Sequence, residues 1–251
     1  MYKILANTLF LGKDIIYLTE CHSTNDMALE KIKERSISEG SVIISDHQTA
    51  GKGQRGNRWF SEPGQNLTFS LVLQPVFLSP DRQFLLSMAV SLGLVSMLDQ
   101  YGIKAMVKWP NDIVLVNGHK LAGILIENSI TQKRIEYSVV GIGLNINQGM
   151  FGSFTASSLA NVLGRPIGLQ EVLEKTIHEL ESMYLKLKSG KSADVHLKYM
   201  QNLYRYQAWA KYQDQEVFEG RIEGIDQRGR LEIRKTTGEL VAYDLKEIKF
   251  L

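Results

Sequence analysis

Short apolar runs alternate with longer, helically spaced ones over the first 206 residues. Runs rich in β-branched residues predict strands at 15–18, 41–45, 67–73, 113–116, 119–127 and 135–140. Helical spacing predicts helices after Ser23, from 79 to 102, near 158–163, over 169–188 and over 193–206. This interspersed order predicts an α+β fold in which helices flank a mixed β-sheet.

Capping residues mark the starts of the first two predicted helices. Ser23 or Thr24 can cap a helix that closes near Gly40, and an ordinary N-cap without further function is the simplest interpretation of this motif. The segment 79–81 combines a serine cap, a proline at the first helical position and an acid near the positive end of the helix dipole. We expect this second helix, which ends at Gly102, to be scaffold.

The hydrophobic pattern changes after Tyr206. From Trp209 onward, short alternating runs are separated by glycines at 220, 224, 229 and 238, which predicts a small all-β unit of about five strands. We therefore predict two domains, over 1–205 and 206–251.

The stretch 48–70 joins two predicted strands and concentrates glycines and cations. Three glycines that can take positive φ are interleaved with three cations: Gly51, Gly53, Gly56, Lys52, Arg55 and Arg58. Exposed backbone N–H groups in a positive field suit a phosphate or a carboxylate. This pattern predicts an anion-binding loop, and an ordinary glycine-rich hairpin with solvated cations is the alternative.

The glycine spacing also matches the dinucleotide-binding motif GxGxxG, but its context differs. That motif opens a helix and meets an acid about 20 residues later, whereas here Pro63 and Gly64 lead into an apolar strand. Neither the Gly-Lys-Ser/Thr ending of a Walker loop nor the HRD and DFG partners of a kinase glycine loop are present.

A proline-fixed bend at 107–112 carries a lysine, an amide and an acid. Pro110 lacks an N–H and favours an extended backbone at Trp109, so Lys108 and Asp112 are held near a strand end. Lys108 suits a phosphate or carboxylate, and Asp112 suits magnesium or a ligand hydroxyl. A buried Trp-Pro turn with a surface salt bridge is the alternative.

The dipeptide Asn117-Gly118 predicts a β-hairpin with a type I′ turn. Lys120 follows among small and apolar residues, where its amine needs a partner unless it reaches solvent from the strand end. Gly123 permits close approach of a ligand. A second Gly-x-Gly, at 141–143, precedes Asn145, whose amide suits a base or sugar; a glycine bulge is the alternative.

Composition narrows the class of protein. The 251 residues are 44% apolar and 22% charged with a net charge of +2, which indicates a globular protein without a broad nucleic-acid-binding surface. The single cysteine, Cys21, excludes an internal disulfide and a cysteine-based zinc cluster. No apolar run approaches the ~18 residues of a membrane span, and no signal-peptide pattern is present. We expect a cytoplasmic protein with neither nucleic-acid nor membrane partners.

Six motifs taken together resemble the biotin–protein ligases. They follow the family's order: Ser23-Thr24-Asn25, GKGQRGNRW (51–59), NLTFS (66–70), KWPND (108–112), KLAGILIE (120–127) and GIGLNIN (141–147). The resemblance implies a class II synthetase-like catalytic domain followed by a small SH3-like β-barrel. It also implies the short form without an N-terminal DNA-binding domain, and hence no repressor role.

The same resemblance implies the reaction. Biotin would be activated with Mg-ATP to biotinyl-5′-AMP and transferred to a lysine of a biotin carboxyl carrier protein domain. Biotin and ATP would be substrates, Mg²⁺ would accompany ATP, and no tightly bound prosthetic group is expected in this monomer or homodimer. Because a carboxylate is ionised at pH 7, the first step needs alignment and cations rather than a general base.

The resemblance further implies roles for individual residues. The biotin site would comprise Ser23, Thr24, Gln48, Gly51, Lys52, Lys120 and Gly123. The nucleotide site would comprise Gln54, Arg55, Arg58, Trp59, Asn111 and Asn145. The catalytic residues would be Lys120, Lys108 and Arg55, with Asp112 as the candidate magnesium ligand.

In the glycine loop, Gln54 occupies the position of the central arginine of the family's usual GRGRRGR, and Asn57 replaces the last arginine. The central arginine is associated with retention of the adenylate, so we expect Gln54 to hold it by neutral hydrogen bonds, or Arg55 or Arg58 to compensate. We also expect the loop to be mobile when empty and to order around its ligand.

Two other functions fit part of the pattern. A lipoate–protein ligase shares the adenylation chemistry, but its RRxSGGG-like loop is missing. A non-catalytic nucleotide- or biotin-binding regulator would use the same pocket, and the presence of Lys108, Asp112 and Lys120 disfavours it.

Overall fold

The computed structural model describes residues 2, 5 and 7–251, except for the side chain of Arg55. Within this part of the chain, twelve strands form a seven-stranded large sheet and a five-stranded small sheet, with five α-helices. The large sheet contains β1 (Ile15–Cys21), β2 (Val42–Gln48), β3 (Leu67–Leu73), β4 (Ala105–Lys108), β5 (Asp112–Leu115), β6 (Lys120–Ile130) and β7 (Ile135–Leu144). The small sheet contains β8 (Trp209–Gln213), β9 (Val217–Ile225), β10 (Leu231–Lys235), β11 (Leu240–Tyr243) and β12 (Lys249–Phe250). The helices are α1 (Thr24–Lys33), α2 (Phe84–Asp99), α3 (Leu159–Leu163), α4 (Leu169–Lys188) and α5 (Ser192–Gln201).

The large sheet has the strand order β1-β2-β3-β7-β6-β5-β4 and is mixed, as predicted. Strands β1 and β2 are parallel because α1 crosses between them, whereas the other neighbouring pairs are antiparallel. Every residue of the interior strand β3 is buried, including Thr68 and Ser70, whose hydroxyl side chains alternate with its apolar ones. The sheet is therefore covered on both faces.

Successive residues of β2 show how the two faces are covered. Val42 and Ile44 belong to the main core, which also contains the apolar faces of α2 and α4. Ile43, between them, packs with Ala28 of α1 in a smaller cluster on the opposite face. This alternation is the expected consequence of the two-residue period of a strand.

Two predicted helix limits are wrong. Helix α1 ends at Lys33 rather than near Gly40, because its apolar positions stop at Ile32 and Arg35 takes a left-handed backbone with φ of 55°. The segment 79–81 starts a 3₁₀ turn, and the α-helix begins only at Phe84.

Helix α5 is also shorter than the predicted 193–206. After Gln201 the backbone pairs with the edge of the large sheet, since Val107 donates its N–H to Asn202 O and Tyr204 donates its N–H to Val107 O, both at 2.8 Å. These bonds replace the helical ones that would have continued α5.

The predicted hairpin between β5 and β6 is confirmed, but the prediction of a type I′ turn is wrong. A type I′ turn needs positive φ at both central residues, and here Gly118 has φ of 87° whereas Asn117 remains at negative φ. The N–H of Gly118 donates to Leu115 O at 2.8 Å, so the turn runs over 115–118 with its glycine in the last position.

The small sheet confirms the five strands predicted for the tail. It is antiparallel, with the order β11-β10-β9-β8-β12. Tyr212 and Ile222 belong to the same core as the large sheet. The indole N–H of Trp109 donates to the carbonyl oxygen of Gly229 at 2.9 Å, which joins the bend after β4 to the small sheet. Among the residues described, no helix has the length and apolar content needed to cross a membrane.

Glu181 of α4 ties the beginning of the chain to the helical layer. Its side chain is 5% exposed and accepts the backbone N–H groups of Leu9, Phe10 and Leu11 at 2.7, 2.8 and 2.9 Å. We expect Glu181→Ala to lower the free energy of unfolding by about 3 kcal/mol, because three donors lose a charged acceptor. Urea unfolding measures this change.

Glu174→Ala, an exposed site on the same helix, is the matched control and should change stability by less than about 0.5 kcal/mol. Equal losses in the two variants would contradict the anchoring role of Glu181.

Candidate functional site

A cleft with a volume of about 730 Å³ lies at one end of the large sheet. It is lined by the start of α1, the ends of β2 and β4, the loop after β2, parts of β6 and β7, and residues 245, 246 and 248–251. The lining side chains that the structure describes include six cations and one acid: Lys52, Arg58, Lys108, Lys120, Lys246, Lys249 and Asp112. This excess of positive charge favours an anionic ligand.

One end of the cleft is polar. Thr24 contacts Gln48 Oε1 through its backbone N–H at 2.7 Å and through its hydroxyl at 3.1 Å. Ser23 precedes α1, but its side chain makes no capping hydrogen bond, and it is only 1% exposed. The side chains of this serine and threonine therefore line a buried polar pocket, and the expected side-chain cap of the helix is not formed.

Glycines on β6 and β7 make room for Trp59. Gly123 and Gly143 are register partners in the sheet, and a Cβ atom at Gly143 would lie 2.2 Å from the Trp59 ring. A Cβ at Gly123 would lie 3.0 Å from Lys120 Nζ and 3.1 Å from the same ring. The indole N–H is buried and has no hydrogen-bond partner in the described part of the chain. Gly123 thus allows another group to lie close to the backbone of β6. In this structure the group is the Trp59 ring, a side chain of this protein.

Lys120 is paired rather than free. Its Nζ lies 2.7 Å from Asp112 Oδ1, with each side chain about one-third exposed (33% and 31%), and 5.5 Å from the centroid of the Trp59 ring. The predicted need for a partner is met by the acid of the neighbouring strand.

The ion pair with Lys120 limits the capacity of Asp112 to bind a metal ion. Among the described residues, no group of three or more His, Cys, Asp or Glu side chains could hold a metal ion. Mg²⁺ is often held by one or two carboxylates together with substrate phosphates. Asp112 fits a magnesium ion only in that shared manner, with phosphate oxygens supplying most of the ligands.

The glycine loop forms a small hairpin. Lys52 and Arg58 are bridged through their backbones, and a 3₁₀ turn spans Gln54–Gly56. The amine of Lys52 donates to Asp26 Oδ1 of α1 at 2.5 Å, and this hydrogen bond raises the pKa of Lys52. The loop is thereby fastened to the helix that begins at the polar end of the cleft.

The cleft brings together most of the residues predicted for the site. Those that line it are Ser23, Thr24, Gln48, Lys52, Gln54, Arg58, Trp59, Lys108, Asn111, Asp112, Lys120 and Gly123. The side chain of Arg55 lies outside the described residues. The individual roles of all these residues stay predictions.

Two predicted residues lie behind the cleft surface. Gly51 is buried, and a Cβ there would come within 2.6 Å of Trp59 O. Asn145 is 3% exposed, and its side-chain N–H groups donate to the carbonyl oxygens of Ser157 at 3.1 Å and Lys120 at 3.3 Å. Both positions support neighbouring segments of the site.

Sequence reasoning missed two parts of the cleft. Asn25 lines it and is hydrogen-bonded to Glu127, and both belong to the recognised motifs without having been assigned a role. Residues 245, 246 and 248–251, which include β12, also line it, with Lys108 Nζ 5.2 Å from the ring centroid of Phe250. No sequence pattern could have linked Phe250 to Lys108, since they are 142 positions apart.

A mixed sheet with a cationic cleft and a paired strand lysine defines an α+β protein whose cleft favours an anionic ligand. The family model described as the biotin/lipoate A/B protein ligase family matches residues 17–145, which is more than half of the chain. The chain belongs to this family.

Individual relatives agree with this assignment. The bifunctional ligase/repressor BirA of Bacillus spizizenii is 36% identical over 141 residues, which cover 55% of this chain and 42% of that protein. The chloroplastic biotin–protein ligase 1 of Arabidopsis thaliana is 29% identical over 223 residues, 84% of this chain and 57% of that protein. The matched regions thus span less than two-thirds of these curated relatives.

A solved structure matches nearly the whole fold. The biotin protein ligase of Aquifex aeolicus, solved in complex with biotin and ATP, superposes with a TM-score of 0.78 and 26% identity. The match covers 94% of this chain and 98% of that one, and so includes the small sheet.

The contact between Gly143 and Trp59 can be tested by substitution. We expect Gly143→Ala to displace the Trp59 ring, to change tryptophan fluorescence, and to destabilise the protein by about 1–3 kcal/mol, because the new methyl group cannot fit. Fluorescence-monitored urea unfolding measures both effects.

Gly149→Ala is the control, since a Cβ there would meet nothing within 4 Å. If both variants behaved like the wild type, Trp59 would not occupy the position described.

Proposed function

We propose that this protein is a biotin–protein ligase, which forms biotinyl-5′-AMP from biotin and ATP and passes biotin to a carrier-protein lysine. The observation that carries the proposal is one cleft with a buried polar end and a cationic body. A bicyclic urea with a carboxylate tail needs hydrogen-bonding groups at one end and positive charge at the other. The names of the family and of its matched members support the same assignment.

In the proposed first step, the residues of the cleft align two anions. Thr24 and Gln48 hold the polar ring, and Lys120 lies where the carboxylate meets the phosphates. A carboxylate oxygen attacks the α-phosphorus of ATP, and the bond to the pyrophosphate oxygen breaks. Lys52, Arg58 and Lys108 offset the negative charge that would otherwise keep the reactants apart.

In the proposed second step, the neutral amine of a carrier lysine attacks the acyl carbon of the adenylate. The bond from that carbon to the phosphate oxygen breaks, AMP leaves, and the amine loses a proton as the amide forms. The Lys120–Asp112 pair lies beside this centre, where Lys120 can stabilise the departing phosphate.

The remaining assignments belong to the same proposal. Trp59, Gln54, Asn111 and Asn145 form or support the nucleotide side, and Arg55 adds charge by its position in the loop. Asp112 would hold Mg²⁺ together with the ATP phosphates, which the metal would help to neutralise.

We propose the boundary between the two domains near Tyr206, because the large sheet's contributions end at 203–204 and β8 begins at Trp209. The acceptor would be a biotin carboxyl carrier domain, in keeping with a matched ligase named for acetyl-CoA carboxylase. A cytoplasmic location is proposed from the single free thiol at Cys21.

The decisive experiment is mass spectrometry of a biotin carboxyl carrier domain after incubation with this protein, Mg-ATP and either biotin or lipoate. We expect one biotin-sized mass increase with biotin and none with lipoate. A lipoate-sized increase alone would identify a lipoate ligase, and no increase with either acid, together with no biotin-dependent ATP–pyrophosphate exchange, would indicate a binding protein.

Lys120→Ala should lower the rate of biotin-dependent ATP–pyrophosphate exchange by roughly 100-fold or more, because the amine nearest the reacting charges is removed. Lys133→Ala, an exposed lysine outside the cleft, serves as the control and should retain the wild-type rate. A wild-type rate for Lys120→Ala would refute its assigned role.

Gln54→Arg tests the altered position of the glycine loop. We expect the arginine to slow dissociation of biotinyl-5′-AMP by about tenfold, as one added charge-assisted hydrogen bond would do. Release of the adenylate is followed by rapid filtration, with Asn57→Arg as the parallel variant. Equal release rates from the wild type and Gln54→Arg would show that position 54 does not control retention.

A further inference from the structure

A continuous row of hydrogen bonds connects β6 to the polar end of the cleft. Asn25 Nδ2 donates to Glu127 Oε2 at 2.6 Å, and the hydroxyl of Ser70 lies 2.6 Å from Asn25 Oδ1. The same hydroxyl lies 2.7 Å from Thr24 Oγ1, which in turn lies 3.1 Å from Gln48 Oε1. Glu127 and Ser70 have no role in the proposed chemistry, yet this row leads directly to the residues that have one.

The orientation of Asn25 is fixed from both sides. The carboxylate of Glu127 can only accept a hydrogen bond, so the Asn25 amide must direct its NH₂ group toward Glu127. Its oxygen then faces Ser70. A Cβ at position 141 would lie 2.4 Å from that oxygen, so Gly141 provides the space in which the amide is held. Asn25 is 3% exposed and therefore has no solvent alternative.

The fixed amide decides where the hydroxyl protons lie. Three oxygen–oxygen contacts link Asn25 Oδ1, Ser70, Thr24 and Gln48 Oε1, but only the two hydroxyl groups supply protons. Ser70 must donate to Asn25, since an amide oxygen only accepts. The one remaining proton, that of Thr24, is then better placed in the shorter contact, 2.7 Å to Ser70 Oγ, which leaves the longer contact, 3.1 Å to Gln48 Oε1, without a proton.

We propose that Glu127 and Ser70 are positioning residues that make this end of the cleft a hydrogen-bond acceptor. With the Thr24 proton directed away from the cleft, Thr24 Oγ1 and Gln48 Oε1 both present lone pairs to a ligand. Such a surface selects a group that carries N–H donors and disfavours one that carries only acceptors. The inference rests on the proposed function, in which the donors are the ureido N–H groups of biotin.

Ser70→Ala tests the inference, because it breaks the row without touching the ligand. The Thr24 proton would then turn to Gln48 Oε1 and occupy the acceptor that the ligand needs. We expect the biotin Kd to rise about tenfold, the equivalent of one lost hydrogen bond, while the ATP Kd stays within about twofold. The preference for biotin over ureido-N-methylated biotin should fall as well. Isothermal titration calorimetry measures all three quantities.

Ser138→Ala provides a matched control. Ser138, on β7, is also fully buried and also donates to an asparagine oxygen, Asn128 Oδ1, at 2.7 Å, but it does not line the cleft. Thermal unfolding should show similar destabilisation of the two alanine variants. Only Ser70→Ala should lose biotin affinity and selectivity.

A second pair of variants acts at the other end of the row. Glu127→Gln can still offer an oxygen to Asn25 and should keep the biotin Kd within about threefold, whereas Glu127→Leu offers none and should raise it about tenfold. This pair decides the question if Ser70→Ala does not fold.

The outcomes separate the two hypotheses. No binding of biotin by the wild type would overturn the proposed function, and this inference with it. Wild-type binding with equal biotin affinity in Ser70→Ala and Ser138→Ala, or in Glu127→Gln and Glu127→Leu, would overturn the inference alone.

Discussion

The site depends on a stretch of bare backbone where Gly123 of β6 faces Gly143 of β7. Side chains normally cover the faces of a sheet. Here Gly123 and Gly143 have no Cβ atoms, so the Trp59 ring lies directly on the backbone of the strands. Trp59 in turn brings the glycine loop over the sheet, because its backbone N–H donates to Gly51 O at 2.9 Å. Any larger residue at Gly143 would move the ring, and the loop with it.

Around this contact, two of the cations that line the cleft are paired with acids. Lys120 pairs with Asp112, and Lys52 pairs with Asp26. Each pair lies partly in solvent, so its net contribution to stability is small. The larger effect of each pair is geometric, since the pair holds a lysine amine at the edge of the cleft. There an incoming anion can replace one of the interactions that the amine makes with its carboxylate partner. The cleft is therefore prepared for an anionic ligand without the cost of fully buried, unpaired cations.

The small sheet completes the cleft rather than standing apart from it. Trp109 donates to Gly229 O, and the ring of Phe250 lies near Lys108. The bend between β4 and β5 thus contacts the small sheet and the cleft at once. Movement of the small sheet would alter the position of Lys108. The contact between the small sheet and the bend after β4 therefore lies close to the side of the cleft that we propose to bind phosphate.

The sequence by itself determined the elements and most of the site, and the tertiary structure decided their contacts. Local patterns were enough for β3, α4 and the five strands of the tail, because periodicity reflects the burial of each segment. Motif resemblance was enough for the residues from Ser23 to Gly123 that now share one cleft. The end of α5 could not be predicted, because its backbone turns to pair with β4 at a contact distant in sequence. The same holds for Phe250 beside Lys108 and for the row from Glu127 to Gln48. These depend on distances between separate strands, which a linear pattern of residues does not contain.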